Sequence, residues 1–323
     1  MSTTRYCEGC HAPAALLSGQ LSEGGKLDTV GHMQEGVSCL TCHGIDQVIH
    51  TKGVASYRFT PPSAYLFEGY ESWLPNKLHN FILRIQPRQH RLDMARSPLS
   101  TPELCATCHV QFMDKEVNNW GWVQMQDEYT AWLESPYSRQ TKHSLSAAIV
   151  QRCQDCHFPL VVGRDPSANS NGQLRSHRAL GGNTAIPWFA GNLEHLKQTE
   201  NFLRADKVRI SLDIPDRSDA VRSNQHVEPK TAENVEPPDF IYLGEKLKLN
   251  VIVSNAQVGH NFPGGTTDLN EVWLQIKAVD GQNRRIFESG QIDSSGDVDP
   301  SAYFYKSVPI DRFGKPVWRH DLF

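Results

Sequence analysis

The sequence predicts an α+β protein in two parts. Residues 1–205 read as an irregular domain of mostly short helices, and residues 206–323 as an antiparallel, Ig-like β-sandwich. Three observations carry this reading. All eight cysteines fall in the first half of the chain, in four copies of one short word. Up to residue 205, apolar positions recur at helical spacing only in short runs that stop near prolines. Beyond residue 206 they switch to strict alternation, the period of a half-buried strand.

The elements follow in order. Tyr57, Phe59, Pro61, Pro62, Tyr65, Phe67, Tyr70, Trp73 and Pro75 make a long stretch rich in proline and aromatics. A loop of that length inside a compact domain needs something to pack on, so it reads as a wrap over a bulky apolar group. Leu78, Phe81, Ile82 and Ile85 share one face of a helix over 76–85, stopped before Pro87. A second helix is expected over 126–134, a third over 144–153, and an amphipathic one over 192–205 through Leu193, Leu196, Phe202 and Leu203. Strands are expected where Val208, Ile210, Leu212 and Ile214 alternate with polar residues. Leu247, Leu249 and Val251 repeat the pattern, as do Val272, Leu274, Ile276 and Ala278, and further strands are expected over 286–292 and 303–310. The polar stretch 216–238 is an excursion between strands. The strand count is short for a closed sandwich, so a further C-terminal piece is expected beyond this chain.

The repeated word is Cys-x-x-Cys-His. It reads Cys7-Glu8-Gly9-Cys10-His11, Cys39-Leu40-Thr41-Cys42-His43, Cys105-Ala106-Thr107-Cys108-His109 and Cys153-Gln154-Asp155-Cys156-His157. A zinc ribbon pairs Cys-x-x-Cys half-sites but does not need a histidine after each one, and a redox dithiol would occur once. Four copies with histidine each time are the attachment signature of c-type haem. Both thiols add to porphyrin vinyl groups, and the adjacent imidazole is carried to the iron. The expectation is four covalent haem c groups, with His11, His43, His109 and His157 as proximal ligands. No cysteine is left over for a disulfide.

The bulk numbers agree with this. The 323 residues allow two domains, and a net charge of −4 with a pI of 6.4 points away from nucleic acid. The hydrophobic fraction, 39% with tyrosine counted, stays a little under the usual level when glycine is added and tyrosine removed, as expected if porphyrins supply part of the core. Apolar runs such as Ala147-Ala148-Ile149-Val150 are too short to span a bilayer. Haem is attached to this word outside the cytoplasmic membrane, so the chain is expected to be exported, to the periplasm or the cell surface. The residues before Cys7 do not form a leader, so a leader or a longer N-terminal part is expected outside this chain.

The sixth ligand of each iron decides its potential and whether it can bind substrate. Fourteen histidines less the four in the words leave ten. Four of these stand out. His32 is tethered closely upstream of the second word, which suits a neighbouring haem. His90 follows Pro87 near the third word. His177 lies in Arg175-Ser176-His177-Arg178-Ala179-Leu180-Gly181, a segment with no apolar reason to be ordered. His260 lies in Gly259-His260-Asn261-Phe262-Pro263-Gly264-Gly265, where glycines and proline define a special loop. His143 is the reserve. Met33, Met94, Met113 and Met125 are the alternative donors, but the number of spare histidines favours bis-histidine iron.

With these words and loops the chain resembles the multihaem c-type cytochromes. More narrowly it is similar to an exported bacterial subgroup in which a tetrahaem domain precedes a β-sandwich. That resemblance implies that His177 and His260 are distal ligands, with the sandwich capping a haem through His260. It also implies electron transfer to redox partner proteins, other multihaem cytochromes or a membrane redox complex, with an oligomer or filament as a further expectation. Two other classes stay open: an oxidoreductase acting on nitrite or hydroxylamine at one open haem, and a conducting subunit of a larger assembly. All four words end in histidine, so the lysine variant of nitrite reductases is absent.

Overall fold

In the computed structural model, which describes residues 7–19, 36–118, 121–138, 150–165, 168–213 and 249–318, the protein is a mixture of short helices and small antiparallel sheets. The words themselves nucleate helical turns. Glu8–His11, Cys39–Gly44, Pro102–Ala106 and Cys153–His157 are helices lying within, over or at the start of a word. A helical turn places two cysteines three positions apart on one face, as attachment to a single ring requires. Prolines start several helices, at Pro13–Leu17, Pro87–Met94 and Pro102–Ala106, where the missing N–H costs nothing.

The last three words are each followed by a β-hairpin. Ile45–Val48 pairs with Tyr57–Phe59, Val110–Met113 with Val123–Asp127, and Leu160–Val162 with Gln173–Arg175. These hairpins are knitted to neighbouring words. Ala55 donates its N–H to the Thr107 carbonyl at 2.9 Å, and the Tyr57 hydroxyl donates to the Gly9 carbonyl at 3.0 Å. Among the described residues the buried apolar side chains sit beside the words: Ala12 and Ala15 after the first, Ile45 after the second, Ala106, Val110 and Met113 around the third. Leu180 is the other, and its N–H bonds the carbonyl of His157 in the fourth word.

Several elements differ from the sequence expectation. The helix over 76–85 starts earlier, at Trp73, and ends at Ile85. The helix expected over 126–134 is Glu128–Glu134. Gln126 and Asp127 instead close the strand Val123–Asp127, and Asp127 caps the helix by accepting the Thr130 N–H at 2.9 Å. Of the helix over 144–153, residues 144–149 lie outside the described residues. Arg152 is extended and the helix begins only at Cys153. The amphipathic helix runs Leu193–Arg204.

The chain divides into two compact units, Met1–Thr199 with Gly259–Phe323, and Glu200–Val258. In the smaller unit Val208–Asp213 pairs with Asn250–Asn255 in unbroken register. In the larger unit the strand expected over 272–278 is split into Val272–Trp273, paired with Phe304–Tyr305, and Ile276–Val279, paired with Arg285–Ser289. The break falls at 274–275, where the Leu274 N–H turns to the Tyr303 carbonyl, and the Trp273 indole donates to Gly290 nearby. Ile292 and Ile310 make single bridges, to Val298 and Pro316, rather than extending strands. Among the described residues every sheet is two-stranded. The excursion 216–238 lies outside them.

Candidate metal centres

Two pairs of imidazoles, each joining a word to a distant loop, define the site. The His43 and His177 rings have centroids 6.4 Å apart and planes 25° from parallel. The His157 and His260 rings are 6.2 Å apart and within 8° of parallel. Van der Waals stacking would bring ring atoms to about 3.5–4 Å, so neither pair is stacked in contact. Two imidazole nitrogens bound to one metal at about 2 Å each set their ring centroids roughly 6 Å apart. The observed separations fit that span.

The backbone fixes three of these four rings. His43 donates its Nδ1–H to the Met94 carbonyl at 2.8 Å, and His260 donates its own to the Asn261 carbonyl at 2.8 Å. His157 Nδ1 donates to the Leu180 carbonyl. A carbonyl only accepts, so each Nδ1 carries the proton and Nε2 keeps its lone pair. That tautomer is the one a metal-ligating imidazole needs, and a carbonyl partner is its usual support.

His177 is delivered by the fourth word's own hairpin. The Ser176 N–H bonds the Pro159 carbonyl at 2.9 Å. Arg175 donates to the carbonyls of Gln154 at 2.7 Å and Phe158 at 3.1 Å, and pairs with Asp155. Burial would push the Asp155 carboxyl up, but Arg152 and Arg175 outweigh it and hold the group at about 2. The segment after His177 returns to His157 through Leu180, so one short stretch serves both pairs.

His260 sits in a preformed cradle. A Cβ on Gly264 would stand 2.8 Å from His260 Cε1 and 2.9 Å from Nδ1, so the ring rests on the Gly264 backbone. Gly265 has φ +75°, a left-handed conformation that favours glycine. Asn270 holds the loop through the carbonyls of Gly264 at 3.1 Å and Thr266 at 3.3 Å.

The words also meet one another. The Cys10 thiol neighbours that of Cys108 and lies 3.9 Å from the Thr107 carbonyl, and the Cys105 thiol neighbours that of Cys153. In each pair the shared hydrogen bond makes one thiol easier to ionise, lowering Cys108 to about 7 and lowering Cys153 as well, and makes its partner harder. Burial also pushes Cys42 up. The fourth word is bolted to the approach to the third: Arg152 donates to Ser100 O at 2.8 Å, and Gln154 to Thr101 O at 2.6 Å. His109 is crowded by protein, which lowers its pKa, and His260 and His11 push the same way. The residue as a whole is nevertheless solvent-exposed.

The other expected ligands fare differently. His32 and the reserve His143 lie outside the described residues, as does Met33. His90, on Pro87–Met94, is 5.6 Å from the Tyr65 ring. Among the described residues it faces no histidine of a word, and its buried Nδ1 has no hydrogen-bond partner. His11 and His109 have no imidazole opposite them among the described residues. Met94 acts through its carbonyl on His43, with Arg96 donating to the His43 carbonyl at 3.3 Å. That role has no side-chain signature to read in advance.

Cys-x-x-Cys-His words and imidazoles that present Nε2 are the parts that a c-type cytochrome uses to hold haem. The family model for cytochrome c554 and c-prime matches residues 1–44, the stretch holding the first two words. At family level this match supports covalently bound haem c, iron and electron transfer. No curated protein and no solved structure matches the chain.

Proposed function

We propose that the protein is a tetrahaem electron carrier with at least two bis-histidine irons, held by His43 with His177 and by His157 with His260. The single observation that carries this reading is the pair of ring separations, 6.4 and 6.2 Å, each between a word and a distant loop. Bound haem c supplies a one-electron couple whose potential follows the axial ligands, burial and nearby hydrogen bonds. The chain's part is to hold the imidazoles in one tautomer, cover the apolar faces and keep the four words adjacent.

Adjacency supports a relay. The third word neighbours the first through Cys10 and Cys108, and the fourth through Cys105 and Cys153. The second and fourth share the segment from His177 to Leu180. Electrons then pass between neighbouring groups without large motions of the chain. His90, with its buried unpartnered Nδ1, is the candidate for a further iron, alongside His32. The β-rich residues 259–323 belong to the redox unit because they supply His260. The same reading has the chain exported, to the periplasm or cell surface, and exchanging electrons with other redox proteins.

Two measurements test it. Pyridine haemochrome analysis of the mature protein is expected to give four haems per chain, and two or fewer would overturn the count. His177→Ala and His260→Ala are each expected to turn one haem from low to high spin in electron paramagnetic resonance. Added imidazole is expected to restore the low-spin signal. Unchanged spectra in both variants would return these loops to purely structural roles.

A further inference from the structure

Glu128 has a side chain that its own helix does not use. The helix Glu128–Glu134 is already capped by Asp127, which accepts the Thr130 N–H at 2.9 Å. The Glu128 carboxylate instead accepts the Gly265 N–H at 2.6 Å, across 137 positions of sequence. Its other oxygen, Oε2, is buried with no partner among the described residues. A half-satisfied buried carboxylate is costly to keep, so its retention calls for a reason. At its other end, the Glu128 N–H bonds the carbonyl of His109 at 3.3 Å.

The loop it grips is the one that presents His260. Gly265 follows directly on Gly264, whose backbone carries the imidazole, and the left-handed Gly265 turns its N–H toward Glu128. Asn270 fixes the loop through carbonyls on either side of Gly265. With Glu128 in place the loop is held at its N–H as well as its carbonyls, and the ring resting on it has a fixed height.

We infer that Glu128 is a positioning residue for His260, tying the distal ligand of the fourth word's iron to the backbone of the third word's proximal histidine. This rests on the axial reading of His157 and His260. Burial raises the pKa of Glu128, opposed by the Gly265 N–H and His260, as expected of a carboxylate drawn into the protein to hold a loop. The inference itself depends on the geometry of the acceptor, which a neutral amide of the same length reproduces.

The test uses the mature, haem-loaded protein. Glu128→Ala removes the acceptor, and Glu128→Asp keeps the charge but withdraws the reach. Glu128→Gln keeps an oxygen at the same distance. Loosening the ligand raises the population with an open iron on the order of tenfold, so carbon monoxide binding to the reduced Ala and Asp variants is expected to tighten by that factor. Part of one haem's low-spin signal is expected to become high-spin in both. Glu128→Gln is expected to stay near the parent. Ala and Asp variants indistinguishable from the parent would overturn the inference, and so would a Gln variant behaving like Ala. If the Ala variant does not mature, the Asp and Gln pair decides alone. His260→Ala run alongside separates the two claims. A low-spin His260→Ala protein sinks the axial reading, whereas a high-spin one with a silent Glu128 series sinks only this inference.

Discussion

The His260 ring lies on the bare backbone of Gly264, and this contact sets what residue 264 can be. A methyl there would come within 2.8 Å of the ring, a distance real Cβ contacts do not reach, so the ring must move. Gly264→Ala is therefore expected to leave overall folding near the parent while moving one haem's worth of signal from low toward high spin. Electron paramagnetic resonance and a thermal melt on the same sample check it, and an unshifted spectrum would show that the ring can slide without losing its ligand geometry. The special character of this loop was legible at residue scale. Gly259, Pro263, Gly264 and Gly265 surround one histidine, and His177 stands in a segment with no apolar reason for order. Met94 and Glu128 were not legible. A carbonyl that supports His43 looks like any other carbonyl, and a carboxylate that reaches 137 positions away has no local pattern.

The recurring element is a word followed by a hairpin, used after the second, third and fourth words. It leaves no fixed-period repeat in the sequence, because the loops between its strands, and the segments after it, differ in length. Alternation in Val208–Asp213 and the 3.6-residue period in Trp73–Ile85 were readable because one face of each is apolar. The strand over 272–278 misled because its alternation continues through a change of partner, which only tertiary hydrogen bonds reveal. The fourth hairpin makes the sharpest prediction for an element. Arg175 spans two carbonyls and the Asp155 carboxylate of the word, a fork that lysine cannot copy. Arg175→Lys and Arg175→Ala are both expected to lose on the order of 2 kcal/mol of unfolding free energy, discounted for partial exposure, and to weaken the His177 ligand together. Denaturant unfolding and the low-spin signal check it. Full rescue by lysine would mean that charge alone holds the hairpin.

At the scale of the whole molecule, the apolar interior of the chain alone is thin. Among the described residues the largest fully buried side chains are Thr107, Thr199 and Pro13, while Val162 is 84% exposed and Leu40, inside the second word, 54%. An aromatic side chain buries about 150–250 Å² and contributes roughly 4–6 kcal/mol at 25 cal/mol per Å². A porphyrin is larger, so on the proposed tetrahaem reading four of them would contribute more than the ~5–15 kcal/mol of net stability that a domain keeps. Covalent attachment makes this contribution part of folding itself, as a structural metal does in small domains. The chain with all eight cysteines replaced by serine is therefore expected to keep some far-ultraviolet helix signal but to lose the near-ultraviolet signal and a cooperative melt. It is also expected to bind a hydrophobic dye. Replacing only Cys153 and Cys156 is expected to cost more than one haem's absorbance, since His177, Leu180 and the Cys105 neighbourhood all lean on that word. Circular dichroism with haem counting on the two variants decides the point. A haem-free chain that melts cooperatively at the parent's temperature would show that the protein builds its core without the porphyrins.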